Sequence, residues 1–163
     1  MVFAGWIGRF LQDDVRLIVG SEEQPGGPVV LSVTRGSSVA LPLGLVNRGH
    51  RAAAWVNVVL YVPPGFAVKL QSPPKGKPAA HPSLTLSAGS PSGTPIAWRI
   101  SGRVGGPLLP GCKLDLTETV RVTVEPLSSF PGGEVIWQVE TARRFRSGRF
   151  SLSLVDRRLK LVR

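Results

Sequence analysis

A chain of 163 residues, 42% of them hydrophobic, carries enough apolar material for one sizeable core, and 19 Gly with 15 Pro imply many turns between short elements. Twenty Lys and Arg against ten Asp and Glu leave a net charge of +10, which favours an anionic partner: lipid headgroups, an acidic protein face or nucleic acid. One cysteine, Cys112, excludes an internal disulfide and a cysteine-cluster metal site, and no apolar run reaches the length of a membrane-spanning helix.

The chain opens MVFAGWIGRFLQDD, in which Phe3, Trp6, Ile7, Phe10 and Leu11 recur at the spacing of one face of a helix. Gly8 and Arg9 interrupt the apolar run and Asp13-Asp14 close it, which does not fit a secretory signal. Residues 1–14 therefore read as a short amphipathic helix that docks, either on its own domain or in a membrane interface. From residue 15 to 163 the pattern changes to strands. Val15–Val19 opens a sheet, the turn PGGP at 25–28 leads into Val29–Val33, and Val39, Leu41, Leu43 and Leu45 share a face. Pro42 lacks a ladder donor, so that strand is expected at an edge or with a bulge. After a turn at Asn47-Arg48-Gly49, Val56, Val58, Leu60 and Val62 alternate with Trp55, Asn57, Val59 and Tyr61 until Pro63-Pro64-Gly65.

Residues 71–95 are rich in Pro, Gly and Ser, with one short strand candidate at Leu84–Leu86; a loop of that length is usually functional or mobile. Further strands follow at 96–100, at Val120, Val122 and Val124, at Val135, Trp137 and Val139, at Phe150, Leu152 and Leu154, and at Leu159 and Leu161. The glycine-rich PGGP, GGP and PGG segments read as turns, since no Gly-Lys-Ser/Thr follows to make a phosphate loop. The sum is an all-β chain, an antiparallel β-sandwich with one N-terminal helix. Its expected buried set includes Val39, Leu41, Val56, Val58, Leu60, Trp98, Val122, Val124 and Trp137.

The stretch VALPLGLVNRGHRAAAWVNVVLYVPPGFAV, residues 39–68, resembles bacterial immunoglobulin-like sandwich domains of cell-surface and adhesion-related proteins. Asn47, Gly49, Pro64, Gly65 and Phe66 stand at the places of that pattern. The resemblance implies an immunoglobulin-like fold and carries over no catalytic residue.

The charge is unevenly spread. From Gln24 to Leu114 there is no Asp or Glu, while Arg143, Arg144, Arg146, Arg149, Arg157, Arg158, Lys160 and Arg163 crowd the segment 143–163. These eight are the candidates for contact with an anionic partner. His50 follows a turn, His81 sits in the Pro-rich loop, and neither carries a recognisable catalytic motif; Cys112 sits in a PGCK turn. No catalytic, cofactor-binding or metal-binding residue is expected, and no small-molecule substrate. Arg interleaved with Phe145 and Phe150 has the ingredients of a single-strand stacking surface, although alternation assigns Phe150 to the core face.

The functional expectation is a non-catalytic accessory or scaffold subunit. It docks at a membrane surface or on a membrane protein complex, such as a respiratory or photosynthetic assembly, through residues 1–11, with the basic segment adding attraction to anionic lipid. The cytoplasmic face of a membrane is the expected location, export the alternative. The competing reading is a basic binding module for nucleic acid or an acidic soluble protein.

Overall fold

The computed structural model describes residues 12–71, 83–89, 97–104, 107–117, 119–123 and 129–158. Thirteen strands carry them: β1 (Val15–Val19), β2 (Glu22–Glu23), β3 (Val29–Val33), β4 (Ser38–Ala40), β5 (Leu43–Asn47), β6 (Val56–Val62), β7 (Ala67–Leu70), β8 (Ser83–Gly89), β9 (Ala97–Val104), β10 (Lys113–Asp115), β11 (Val120–Thr123), β12 (Gly132–Glu140) and β13 (Phe145–Asp156). One layer is a six-stranded sheet in the order β3-β13-β12-β6-β9-β8. The other combines β10-β5-β1-β2 with β4-β11-β7. Side chains from both layers meet in a single core, with Leu17, Leu41, Leu45, Leu60, Phe66 and Phe150 among its largest fully buried members. The chain is an all-β sandwich. Every pairing is antiparallel except β3 with β13, which run parallel.

Period two explains the burial. Val56, Val58, Leu60 and Val62 point inward from β6, and Val135, Trp137 and Val139 do so from β12, with half-buried residues between them. Leu41 and Val122 are buried as the alternation requires, whereas Val39 is only half-buried; Val124 lies outside the described residues. Trp98 is a correction: it is 37% exposed. It has the inward parity, opposite Val62 and Ala88, but stands second in β9 beside the edge strand β8, where the core ends.

Pro42 falls between β4, the end strand of the order β4-β11-β7, and β5, which is enclosed by β10 and β1. The run 38–47 divides there into β4 and β5, which lie side by side with β11 and β10. Leu41 N bonds Val120 O at 2.9 Å and Leu116 N bonds Leu43 O at 2.8 Å, so the regular ladder is interrupted between these two bonds. A residue without an N–H sits where the ladder is broken, as a bulge allows. The Pro131-Gly132-Gly133 segment is not a turn, since both glycines belong to β12. A Cβ at Gly133 would lie 2.8 Å from Pro63 Cγ, so the glycine serves close packing. The strand expected at Leu84–Leu86 extends over Ser83–Gly89, as β8. The N-terminal helix, with its docking residues, and the strand at Leu159 and Leu161 lie outside the described residues.

Candidate functional site

The Asn-x-Gly turn after β5 does more than reverse the chain. Asn47 is fully buried and uses all of its side-chain hydrogen-bonding groups. Its Oδ1 accepts from Asp14 N at 3.1 Å and Gly49 N at 2.9 Å, and its Nδ2 donates to Arg51 O at 2.8 Å and Leu108 O at 2.9 Å. Arg48 N and His50 N donate to Asp14 O and Gln12 O. Residues 12–14 thus lie across the turn, so close that a Cβ on Gly49 would overlap Gln12 O and come within 2.6 Å of Asp14 N. Only glycine fits there.

The other side of this clasp is the β12–β13 hairpin. Thr141, buried, accepts at Oγ1 from Arg143 N and Arg144 N, and its own N–H bonds Arg144 O at 2.8 Å. That turn sends Arg144 to Gln12 Oε1 at 2.9 Å and to Asp14 Oδ1 at 3.4 Å. Arg146 reaches the same Asp14 oxygen at 2.5 Å, and Arg16 takes its other oxygen at 2.8 Å. Burial opposes ionisation of Asp14, but the Arg16 hydrogen bond and the Arg146 and Arg16 charges outweigh it and hold the carboxyl below its usual range. Glu23 is paired with Arg48, and with Arg16 at 3.5 Å. The Arg48 hydrogen bond and the Arg48 and Arg16 charges lower its pKa as well.

The basic residues of 143–163 therefore divide. Arg144 and Arg146 are engaged with Asp14, and Arg149 bonds Glu134 at 2.9 Å in an exposed pair. Arg143, Arg157 and Arg158 are exposed, and Lys160 and Arg163 lie outside the described residues with Phe3, Trp6, Ile7, Phe10 and Leu11. Beside the clasp, Gln24, Trp137, Phe145, Arg146 and Arg149 line an open groove of about 480 Å³. Gly148 leaves room for the Trp137 indole, since a Cβ there would stand 2.7 Å from the ring. Phe145 is 58% exposed on the outward side of β13, whereas Phe150 is buried in the core. The two aromatics interleaved with Arg thus lie on opposite faces.

Register brings together a second group of cations that spacing alone did not single out. Arg103 pairs across the sheet with Asn57, whose Oδ1 accepts from Arg103 Nε at 3.1 Å, while its guanidinium lies 4.7 Å from the Trp55 ring centre. Arg99, four residues earlier on the same face, donates from Nη1 to Ser101 Oγ at 3.0 Å. Neither is ion-paired among the described residues, and β6, β8 and β9 contain no Asp or Glu. The signal for this face was the acid-free span from Gln24 to Leu114; which of its arginines share a surface depends on strand pairing.

His50 and Cys112 are exposed, and His81 lies outside the described residues. Among the described residues no group of three or more His, Cys, Asp or Glu could hold a metal ion. No protein-family model matches the chain, and no curated protein matches it in sequence. Among solved structures it is similar to PapD-like domain 7 of human CEP192, at 10% identity and a TM-score of 0.39, with 87% of this chain and 85% of that one covered. It is also similar to a type I cohesin–dockerin complex from Clostridium thermocellum, at 12% identity and a TM-score of 0.41 (88% and 97% covered). A third is a non-cellulosomal cohesin from the archaeon Archaeoglobus fulgidus, at 12% identity and a TM-score of 0.34 (90% and 95% covered). These likenesses assign no partner to this chain.

Proposed function

We propose that this chain is a non-catalytic accessory subunit. It docks at a membrane surface or on a membrane protein complex, such as a respiratory or photosynthetic assembly, through its N-terminal segment. One observation carries the reading: Gln12–Asp14, where that segment joins the sandwich, are locked by Asn47 and by Arg144 and Arg146. A docking element attached there is joined to a rigid body rather than to a free tether. The apolar set Phe3, Trp6, Ile7, Phe10 and Leu11 supplies about 1.5–3 kcal/mol for each side chain fully buried, more than enough to order a short helix that is marginal alone. Exposed cations, among them Arg143, Arg157 and Arg158, add attraction toward anionic headgroups. A cytoplasmic membrane face is part of this proposal.

The test is co-sedimentation with phosphatidylcholine vesicles with and without phosphatidylserine. The full chain is expected to sediment with the anionic vesicles, and less so as salt rises. A chain lacking residues 1–11 is expected to stay in solution with an unchanged circular dichroism spectrum. If the shortened chain remains bound at high salt, or the full chain binds neither vesicle, the proposal fails.

A second reading, a basic module for an acidic soluble protein or nucleic acid, is favoured by one specific observation: Arg99 and Arg103 are held outward by neutral partners, with no carboxylate on their own or adjoining strands β6 and β8.

A further inference from the structure

The six-stranded sheet ends at β8, and no described strand pairs with its far side. Its sequence, SLTLSAG, is seven residues long and contains neither a charge nor a proline. Natural edge strands are usually kept from pairing by Lys, Pro, a bulge or short length. This one has none of those in itself, and its ladder with β9 runs unbroken from Ser83↔Arg103 to Gly89↔Ala97. Among the described residues, the outward backbone donors and acceptors of β8 thus have no strand partner.

The side chains beside that edge say what it would pair with. Thr85 and Ser87 are exposed on the face that carries Arg99, Ser101 and Arg103. Arg99 leans toward β8: a Cβ built on Gly89 would lie 2.9 Å from Arg99 Cβ and 3.1 Å from its Cδ, so the stem lies against the place where a side chain is missing, while Nη1 bonds Ser101 Oγ of its own strand. Arg103 is turned the other way, toward β6, by Asn57 and the Trp55 ring; it has no ion pair among the described residues and would reach the edge only by leaving those contacts. Glu140 of β12 stands on the far side of Asn57 in register, away from the edge. We propose that the β8 edge takes up an extended, acidic segment of a protein partner as an added strand, with carboxylates on alternate residues meeting Arg99 and drawing Arg103 from Asn57 toward the edge.

The geometry accommodates this mode. An added strand lies about 4.8 Å beyond β8, and so about twice that from β9, within reach of an arginine and a glutamate extended toward each other. Main-chain bonds would supply affinity and the arginine row specificity for acidic sequences. A second copy of this chain is a poor occupant, because edge-to-edge pairing would set two arginine rows against each other on two chains of charge +10. The proposal uses none of residues 1–11, so its success or failure leaves membrane docking to its own test.

The probe is a ten-residue synthetic peptide alternating Glu with Val, compared with the same peptide carrying Gln for Glu, and the protein is the full chain. Amide exchange by nuclear magnetic resonance should show alternate amides of β8 becoming protected when the Glu peptide is added. Arg99→Gln and Arg103→Gln should each weaken binding about fivefold, the size expected of an exposed ion pair, with the thermal midpoint unchanged. Gly89→Ala, which displaces Arg99 without removing it, should reduce the preference for Glu over Gln. Equal binding of the two peptides, or no change at β8 amides, overturns the proposal. So does displacement of the Glu peptide by single-stranded oligothymidylate with the same arginine dependence, or β8 protection in a self-associated dimer without peptide.

Discussion

The same cation does opposite work at two places in this sandwich. At the clasp, Arg16, Arg48, Arg144 and Arg146 surround Asp14 and Glu23, and their charges are consumed in holding residues 12–14 to the body. On the β6–β9–β8 half of the large sheet, Arg99 and Arg103 rest on a hydroxyl, an amide and an indole. Hydrogen bonds and ring contacts of that kind orient a guanidinium without neutralising it. An arginine cluster therefore says little about binding until its carboxylates are located. The clasp is architecture; the acid-free half is a surface with charge to spare.

The largest effect that would sharpen this contrast is at Asn47. Asn47→Ala should cost about 2–5 kcal/mol in denaturant unfolding, because buried amides and carbonyls on both sides of the clasp lose their partner. Next comes Asp14→Asn, expected to cost about 1–3 kcal/mol by weakening charge-assisted bonds to Arg16 and Arg146. If Asp14→Asn were silent, the clasp would not be structural.

Acid should probe the same division. The folded pKa values of Asp14 and Glu23 lie below their ordinary values, so the unfolded chain binds protons more readily. Their contribution is present above the ordinary carboxylate range of about 4 and is lost as pH falls through the lowered values. Unfolding midpoints measured from pH 7 downward should decline in that window, and Asp14→Asn should flatten the decline. The smallest effect is expected on the other half: Arg99→Gln with Arg103→Gln should change stability by no more than about 0.5 kcal/mol, since neither is in an ion pair among the described residues. A large destabilisation there would show that these arginines serve the fold and not a partner.

Much of the sandwich was legible because burial has the period of the strand. Val56 to Val62 and Val135 to Val139 show it directly, and Asn47 with Gly49 announced a turn by residue type. Pro42 marked a break correctly, yet the pairing of the halves on either side of it with β11 and β10 follows from segments more than seventy residues downstream. Trp98 has the parity of a core residue, and its exposure comes from standing beside the last strand of a sheet.

By itself the sequence determined the strand-forming pattern, the excess of positive charge and the absence of carboxylates from Gln24 to Leu114, because each is a property of residue type and spacing. It could not say that Asp14 meets Arg144 and Arg146, or that Arg103 lies on Trp55 and beside Asn57. Those neighbours are 130, 132, 48 and 46 positions apart, and only cross-strand register and the closing of two layers bring them together. Local patterning selects which face of a strand a side chain occupies; the order of strands decides whose charge it meets.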